Sequence, residues 1–453
     1  MRLDRRLILS AGALAGSVLA LASRGDATTK TAAPLRTPAA AGDGLVPDAA
    51  HDQTAALQAA IDAAAERRQP VVLAPGRYLT GRVALRAGTK LIASAGTVTL
   101  ALFKPGAMLV GEGADGVELS DFTIDGGALP GLGEGRDALV HLKGATGITI
   151  DGLTIRNAGA KAISLDACSG RIERCRIAGV GDVAIFSVDA RGLAVTGCDI
   201  ADCGNNGIQV WRSSPGDDGS IVSGNRIVRI ASRAGGTGQN GNGVNVFRAA
   251  GVTVSGNRIT DCAYSAVRGN AASNLSILGN SCARIGEVAL YAEFGFEGAL
   301  ISSNIVDGAA AGISVTNFNE GGRLAVVQGN LIRNLKRREH EPVDKRGEGI
   351  SVEADTNVTG NTIENAPSAG IVIGWGRYMR NVVASGNIVR DCRHGILITA
   401  DEDAGACFVT GNLISGARDG AIRAVREGGA FGPDLVRQTT DTGRVRITGN
   451  MAV

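Results

Sequence analysis

The chain has 453 residues, and its composition already excludes several classes of protein. Glycine accounts for 66 residues and aromatic residues for only 3%, but there is no Gly-X-Y period, which excludes a collagen-like chain and favours an architecture dense in turns. The formal net charge of +2 gives no electrostatic case for binding nucleic acid.

The first residues have the organisation of an export signal. Arg5 and Arg6 precede an apolar run over residues 7–22, as in signals of the twin-arginine pathway, although Asp4 stands where serine or threonine is more usual. We predict a twin-arginine signal peptide over residues 1–27, with a Sec signal or an uncleaved anchor as alternatives. No later stretch approaches the roughly 20 apolar residues of a membrane-spanning helix. We therefore expect a periplasmic or secreted protein whose partners include the twin-arginine export machinery.

Residues 28–50 are rich in Ala, Thr, Pro and Gly without a period, and they predict a flexible linker to one domain over residues 51–453. Asp52 follows as a helix cap, and the helix ends before Pro70. We expect this helix to cover the first unit of the domain, because a stack of strands otherwise leaves backbone groups unpaired at its end. Its apolar stripe consists of Leu57, Ala60, Ile61 and Ala64.

A short motif recurs nine times in the second half of the domain: an Asn followed two places later by an apolar residue and usually preceded by Gly. The copies are 23 to 38 residues apart, which is one small strand-and-turn unit with a variable loop, and they predict a solenoid. Short alternating apolar runs within each unit indicate strands. We expect the Asn side chains to stack as a buried amide ladder with a structural role. They are Asn225, Asn257, Asn280, Asn304, Asn330, Asn361, Asn387, Asn412 and Asn450.

The cysteines follow the same repeat. Cys203, Cys262 and Cys392 occupy a position that is apolar in every unit, so they belong to an inward-facing row. Cys175 and Cys198 occupy the position of the ladder Asn in two earlier units, where a disulfide is the alternative to the free buried thiols that we favour. No Cys-x-x-Cys motif or Cys/His cluster indicates a metal site.

These features resemble the right-handed parallel β-helix proteins of the pectate-lyase-like superfamily. The resemblance covers about residues 51–453 and includes the Gly-Asn-x-Ile repeats and strands of the form Gly-Ile-x-Val. Its N-terminal part is the segment Asp52-Gln53-Thr54 and the turn Pro75-Gly76-Arg77-Tyr78. Joined to an Arg5-Arg6 signal, the repeats are also similar to the twin-arginine-translocated repeat proteins. The resemblance implies an all-β fold, a right-handed parallel β-helix solenoid with an N-terminal capping α-helix, on which lyases, hydrolases, epimerases and binding proteins are all built.

Strand alternation places two rows of side chains on the outer face of one sheet. In the middle units these rows combine aromatic rings with amides and carboxylates, as a sugar chain requires, because rings stack on pyranose faces while polar groups bond the hydroxyls. Packing of the rings against the loops over residues 231–242, 336–348 and 426–445 is the alternative. The first row is Gln209, Asn245, Arg268, Tyr291, Ser314, Ser351, Val372, Leu397 and Arg423, and the second row is Trp211, Phe247, Asn270, Glu293, Thr316, Glu353, Gly374, Thr399 and Val425.

A second group of aromatic residues is expected just past the same strands. The segment Asn317-Phe318-Asn319-Glu320 closes on two glycines and predicts either a ligand-binding turn or a tight turn that needs Asn and Gly for its backbone alone. The expected aromatic group is Phe294, Phe296, Phe318, Trp375 and Tyr378. The residues predicted to bind substrate are Gln209, Trp211, Asn245, Phe247, Asn270, Asn317, Phe318, Asn319, Glu320, Trp375 and Tyr378.

Arg268, Tyr291, Glu293 and Glu353 are the candidates for catalysis. On a uronate polymer, Tyr291 would serve as base or acid and Arg268 would neutralise the substrate carboxylate, giving β-elimination or C5 epimerisation. On a neutral polymer, Glu293 and Glu353 lie two units or about 9.6 Å apart, nearer the spacing of an inverting than of a retaining hydrolase.

The function expected from the sequence is that of an exported polysaccharide-active protein, with lyase or C5-epimerase chemistry on an acidic polysaccharide ahead of glycoside hydrolysis. The alternative is a non-catalytic β-helix that binds glycans or serves as an envelope or adhesion protein. No cofactor is expected. Calcium bound by Glu293, Asn317, Glu320 or Asp355 is an option that no dense cluster of aspartates supports.

Overall fold

The computed structural model shows a parallel β-helix with three long sheets, which we name sheets A, B and C. The chain forms a strand of sheet A, then of sheet B, then of sheet C in successive coils, and the strands of neighbouring coils pair in parallel. Near the C-terminus, Gly429–Phe431 and Thr440–Asp441 instead add antiparallel strands to sheets C and A. The predicted all-β solenoid with an N-terminal α-helix is confirmed. The structure describes residues 44–131, 137–236, 238–338, 347–426, 429–437 and 440–453. The predicted signal peptide and residues 28–43 of the predicted linker lie outside these ranges.

Within the described ranges, sheet A has 16 strands and sheets B and C have 15 each. Sheet A comprises, in spatial order, Val71–Val72, Lys90–Ile92, Glu118–Ser120, Ile148–Asp151, Gly170–Glu173, Ala194–Thr196, Ile221–Ser223, Thr253–Ser255, Leu275–Leu278, Glu297–Ser302, Arg323–Gln328, Thr356–Thr359, Val382–Ser385, Cys407–Thr410, Val445–Thr448 and Thr440–Asp441. Sheet B comprises Gly76–Thr80, Val98–Leu102, Thr123–Asp125, Thr154–Ala158, Arg176–Val180, Asp199–Cys203, Arg226–Ile230, Arg258–Cys262, Ser281–Ala283, Ile305–Asp307, Leu331–Arg333, Thr362–Glu364, Ile388–Arg390, Leu413–Ser415 and Met451–Ala452. Sheet C comprises Val83–Ala84, Leu109–Glu112, Ala138–Lys143, Lys161–Asp166, Val183–Val188, Asn206–Asp217, Asn242–Ala250, Val267–Asn270, Val288–Glu293, Ala311–Val315, Glu348–Val352, Ala369–Ile373, His394–Thr399, Ile422–Arg426 and Gly429–Phe431.

The helix Thr54–Arg67 covers the first coil, as expected, and buries Leu57, Ala60 and Ile61. Its side chains also satisfy the exposed edge of sheet C: the amide of Gln58 accepts the backbone N–H of Ala84 at 2.7 Å and donates to the carbonyl of Ala84 at 3.0 Å. The helix therefore replaces the strand that this edge lacks. None of the described helices is long and apolar enough to cross a membrane.

The start of the helix differs slightly from the prediction. The capping position is occupied by Gln53, one residue later than predicted, although the carboxylate of Asp52 does accept the backbone N–H of Thr54 at 2.9 Å. The last residues of the predicted linker are also ordered: the N–H of Asp48 donates to the carbonyl of Arg77 at 2.9 Å, and the Asp48 carboxylate accepts the N–H of Arg77 at 2.9 Å. The ordered domain therefore begins before residue 51.

The buried Asn ladder is confirmed. The side-chain oxygen of Asn257 accepts both the backbone N–H of Asn225, at 2.9 Å, and its side-chain amide, at 3.0 Å. The second amide hydrogen of Asn225 reaches the carbonyl of Val195 in the preceding coil at 3.0 Å. The same pattern continues coil by coil to Asn450. Every polar group of the row is therefore satisfied inside the solenoid, which explains a column of buried amides.

The backbone conformation explains why glycine usually precedes each ladder Asn. Gly224 adopts φ +64°, in the left-handed region that L residues enter only with strain, and this conformation turns the chain from sheet A into sheet B. Ser303 holds the same position without glycine, at φ +59°.

All eight cysteines lie in the described ranges and are buried and free. Cys203, Cys262 and Cys392 belong to the core, as expected, and burial raises the pKa of Cys203 to about 12. Cys198 continues the Asn column, because its N–H donates to the side-chain oxygen of Asn225 at 2.9 Å. Free buried thiols, rather than a disulfide, therefore occupy the early ladder positions.

Candidate functional site

The strand pairing of sheet C confirms the predicted register. Gln209 lies beside Asn245, which lies beside Arg268, and Arg268 lies beside Tyr291. The second row starts with Trp211 beside Phe247 and continues in the same way. The core-facing residues between the rows are buried, so both rows belong to the outer face of sheet C.

Several members of these outer-face rows are nonetheless buried. Gln209 and Asn245 are each 4% exposed, Arg268 is 7% exposed and Glu293 is 2% exposed. For Arg268 the reason is the loop that precedes the strand Asn242–Ala250, because a Cβ atom added to Gly238 would lie 1.7 Å from a terminal nitrogen of Arg268. In this part of sheet C, the described loop residues therefore cover Arg268, while packing of the aromatic rings against the loop stays a prediction.

That loop is held by hydrogen bonds from three coils. The side-chain amide of Asn242 donates to the carbonyl of Gly238 at 2.8 Å, and the side-chain amide of Asn206 donates to the carbonyl of Gln239 at 3.1 Å. The hydroxyl of Tyr264 donates to the carbonyl of Gly236 at 2.8 Å. The loop that covers Arg268 is thus attached to the rest of the domain by specific hydrogen bonds.

Three aromatic rings follow one another on neighbouring coils and form what we call the aromatic ladder: Phe186, Trp211 and Phe247. The ring centroids of Phe186 and Trp211 are 5.5 Å apart and those of Trp211 and Phe247 are 5.6 Å apart, both in edge-to-face geometry. The indole N–H of Trp211 donates to the side-chain oxygen of Asn245 at 2.7 Å, which fixes the ring. All three rings are half-buried, so each is held in place and still presents a face or edge to solvent.

The two rows predicted from the sequence include Trp211 and Phe247. They omit Phe186, because the predicted rows begin one coil later, with the strand that carries Trp211. Phe186 pairs with Gln209 in the first row, and its alternating apolar strand is visible in the sequence. Cations flank the ladder at both ends: the ammonium of Lys161 lies 5.5 Å from the centre of the Phe186 ring, and the guanidinium of Arg248 lies 4.7 Å from that of Phe247.

Further along sheet C, the predicted catalytic residues form an ion cluster that we call the Arg268 cluster. The guanidinium of Arg268 donates to both oxygens of Glu293, at 2.6 and 2.9 Å, and to Glu287 at 3.1 Å. The side-chain amide of Asn270 adds a third bond to Glu293 at 3.0 Å. Sequence reasoning missed Glu287, which lies just before its strand and outside both rows. Arg268 and Glu293 are therefore occupied by each other, which leaves neither one open to a substrate carboxylate or a glycosidic oxygen.

Tyr291 lies against this cluster, with the guanidinium carbon of Arg268 4.9 Å from the centre of its ring. Burial, reinforced by the negative charge of Glu293, raises the pKa of Tyr291 to about 12, against the opposing hydrogen bond with Thr316. A phenol with this pKa stays protonated at neutral pH. Of the two roles considered for Tyr291, proton donation fits this state and proton abstraction does not.

Glu353, the fourth residue predicted to be catalytic, stabilises a turn by accepting a backbone hydrogen bond. Its carboxylate accepts the backbone N–H of Phe318 at 2.7 Å, and burial raises the pKa of Glu353 despite the backbone bonds from Phe318 and Asn317. The turn Phe318–Glu320 is a short 3-10 helix, and Asn317 enters it with φ +70°. Asn319 donates to the carboxylate of Glu320 at 3.1 Å. The local bonds of this segment are thus those of a tight turn.

The second aromatic group is divided between core and surface. Phe296 is 1% exposed and belongs to the core, so its assignment to a surface cluster is wrong. Phe294 is 39% exposed and Trp375 is 54% exposed. Trp375 stands at the tip of a tight hairpin, paired through its backbone with Tyr378, whose ring lies 5.4 Å from the guanidinium of Arg377.

Next to this group, the turns from sheet C into sheet A border a shallow, open cavity of about 700 Å³. Asp355 lies in its wall and accepts from Arg380 at 3.1 Å, from Asn381 at 3.0 Å and from Arg323 at 3.5 Å. The Arg380 guanidinium lies 4.5 Å from the centre of the Phe318 ring. The residues lining the cavity are Arg323, Leu324, Asp355, Thr356, Asn357, Arg380, Asn381 and Val383. We call this region, with Phe318 and Trp375, the turn surface.

The described residues contain no group of three His, Cys, Asp or Glu side chains arranged to hold a metal ion. Two of the carboxylates considered for calcium already hold arginines: Glu293 holds Arg268 and Asp355 holds Arg380. A cation would have to displace these partners, so the residues present do not fit a calcium site.

Comparison with known proteins agrees with this architecture. The family described as "Right handed beta helix region" matches residues 137–235 and 218–381, which together exceed half of the chain. Bacteriophage phi29 gene product 12 is similar over 84% of this chain at 16% identity and a TM-score of 0.51, and the chain spans only 54% of that protein's length. A search of curated proteins gives no match.

Two other solved structures share the fold. The catalytic unit of a GH87 α-1,3-glucanase from Streptomyces thermodiastaticus strain HF3-3 is similar at 15% identity and a TM-score of 0.52, over 93% of this chain and 69% of that one. The surface protein and adhesin PfbA of Streptococcus pneumoniae is similar at 16% identity and a TM-score of 0.52, over 86% of this chain and all of that one. At these identities the likeness is one of fold.

Proposed function

The chain belongs to the right-handed β-helix family, and on this premise we propose that it is a carbohydrate-binding protein whose aromatic ladder holds a polysaccharide on the outer face of sheet C. The fold alone does not select this function, since a glucanase and an adhesin are both built on it. The proposal therefore depends on the site.

The observation that carries the proposal is the aromatic ladder itself. Its three rings are spaced 5.5 and 5.6 Å apart on consecutive coils, and the bond from Trp211 to Asn245 holds the central ring in one orientation. Half-buried rings on a rigid sheet bind an amphipathic ligand at a small entropic cost, because they lose little freedom on binding. A pyranose has an apolar face for such rings and hydroxyls for the neighbouring polar groups.

Binding without turnover is the better supported form of this function. Arg268 and Glu293 neutralise each other under a loop, and the phenol of Tyr291 stays protonated, so the residues considered for lyase or epimerase chemistry lack a free base and a free cation. We therefore place the non-catalytic glycan-binding function ahead of turnover, which reverses the order expected from the sequence.

A binding screen with matched variants tests the proposal. The purified protein is titrated with alginate, pectate, glucuronan and an α-1,3-glucan by calorimetry. We expect at least one polymer to bind and Trp211→Ala to weaken it at least about tenfold, which corresponds to about 1.4 kcal/mol. Phe408→Ala is the control, because Phe408 is an aromatic ring exposed on sheet A and lies outside the aromatic ladder.

Two results would overturn the proposal: no binding to any of these polymers, or unchanged binding by the Trp211→Ala protein. The same samples also test turnover. An increase in absorbance near ~235 nm that disappears in Tyr291→Phe would establish elimination chemistry and restore the lyase interpretation.

A further inference from the structure

The turn surface has the features of a binding site, and the aromatic ladder does not use it. It lies at the turns from sheet C into sheet A in three successive coils, where the cavity of about 700 Å³ opens beside Asp355. The cavity is a shallow depression on the surface, so a ligand there would be held by the side chains at its edge and not enclosed.

Its side chains match a sugar unit. Phe318 offers a half-buried ring, and Trp375 offers an exposed one at the tip of its hairpin. Thr399 fixes that hairpin by donating to the carbonyl of Gly376 at 2.7 Å. Around the rings, the amide of Asn381 and the guanidinium of Arg380 are held by Asp355, so their remaining N–H groups are positioned for hydroxyl oxygens.

The charges at this surface balance each other, so hydrogen bonds to hydroxyl groups would hold a ligand there without an added ion pair. Arg380 is paired with Asp355, while Arg323 is paired with both Asp355 and Glu297. Two cations are thus matched by two carboxylates. The pairing with Arg380 also lowers the pKa of Asp355, so the carboxylate remains ionised and accepting.

The position of the turn surface suggests how a long chain would bind. In sheet C, five coil steps separate the strand that carries Phe247 from the strand that precedes Trp375, which is about 24 Å along the axis. Phe294, an exposed ring on an intermediate coil, lies at the same end of the strands.

We infer that the turn surface is a second sugar subsite, and that one polysaccharide spans it and the aromatic ladder. This inference rests on the proposed function, because the same ligand occupies both places. Two linked subsites raise the affinity for a long chain by about 10²–10⁴ over that for a short one, since the second contact becomes intramolecular.

The test takes the polymer that binds in the screen, whether alginate, pectate, glucuronan or the α-1,3-glucan. Two ligands are titrated, the polymer itself and a trisaccharide prepared from it. Calorimetry should give two trisaccharides per wild-type chain, one for Trp375→Ala and one for Trp211→Ala. Affinity for the polymer should fall about a hundredfold in either variant. Arg380→Ala provides a second variant of the turn surface, and Phe408→Ala should leave both stoichiometry and polymer affinity unchanged.

The outcomes separate the inference from the proposed function. One trisaccharide per wild-type chain, lost in Trp211→Ala and unaffected by Trp375→Ala and Arg380→Ala, would overturn the second subsite and leave the aromatic ladder as the binding site. Absence of binding by the wild-type protein would overturn both.

Discussion

Glu293 carries a charge that its surroundings have to neutralise, because only 2% of the residue is exposed. Three N–H groups reach its two oxygens, two from Arg268 and one from Asn270. Burying an ion costs several kcal/mol, and a well-formed pair offsets that cost only while both partners are present. The Arg268 cluster therefore ties adjacent coils of sheet C together irrespective of any ligand.

Glu293→Gln should expose this dependence. Arg268 would keep its ion pair with Glu287 but lose the carboxylate to which it donates two hydrogen bonds. We therefore expect the free energy of unfolding, measured by urea titration, to fall by about 3 kcal/mol. Glu112→Gln is the control, because Glu112 pairs with Lys143 at 2.9 Å but has a side chain that is 77% exposed. Its unfolding midpoint should match that of the wild type. Equal midpoints for all three proteins would contradict the structural role of the cluster.

Tyr291 gives the residue-scale prediction for pH. Its pKa is about 12 in the folded protein and near 10 in an unfolded chain, so the unfolded chain loses the proton first as the pH rises. The stability due to the protonated phenol is therefore complete below about pH 10 and is lost between about pH 10 and pH 12. Unfolding free energies measured across this window should fall more steeply for the wild type than for Tyr291→Phe. Parallel curves would mean that Tyr291 titrates normally.

At the scale of elements, the Asn ladder links the turns between sheets A and B through the second half of the solenoid. Asn304 is typical: its side-chain oxygen accepts two donors of Asn280 in the coil before it, and its own amide reaches back to the carbonyl of Ile277 in that coil. A buried donor without an acceptor costs about 1–3 kcal/mol. The effect of losing one Asn therefore depends on whether water can take its place.

Replacement of a central and of a terminal ladder residue tests this dependence. Asn304→Ala leaves the backbone N–H of Asn280 and one of its two amide hydrogens without an acceptor, and we expect a loss of about 3 kcal/mol. Asn450→Ala affects Asn412 in the same way, but Asn450 is half-buried in the last coil, where water can replace it. Its loss should be clearly smaller. Similar losses at both positions would show that the ladder bonds are not what stabilises these turns.

At the scale of the whole molecule, the coils repeat at about 4.8 Å, so features on one face align along the axis. This alignment brings the aromatic ladder and the turn surface to the same side of the sheet C strands, although more than 120 residues separate Phe247 from Trp375 in the sequence. A rigid array of this kind suits an extended polymer better than a compact ligand, because each coil contributes one contact.

Export also concerns the whole molecule. We propose that the protein is exported by the twin-arginine pathway, on the basis of Arg5 and Arg6. The double variant Arg5→Lys with Arg6→Lys should accumulate the full-length protein in the cytoplasmic fraction, because this pathway reads the guanidinium pair and not charge alone. Arg24→Lys, at the far end of the apolar run, should leave the fractionation pattern unchanged. Normal export of the double variant would favour a Sec signal.

The sequence by itself determined the fold, the register and the interior. Strand alternation and the recurring Gly-Asn motif are local patterns repeated coil after coil, so they placed Asn257 in a ladder, Cys203 in the core and Arg268 beside Tyr291 before any coordinate was known. Such repetition is informative because in a solenoid each coil meets only its neighbours, and stacking turns a sequence period into a spatial row.

Only the tertiary structure decided what those rows can do. The backbone of Gly238 covers Arg268, Glu287 joins its ion pairs, and the guanidinium of Arg380 lies over the ring of Phe318. None of these contacts follows a period, because they arise from loops of unequal length and from charges that find partners across coils. Burial then determines the chemistry, since it raises the pKa of Tyr291 to about 12 and leaves Arg268 as the partner of the buried Glu293.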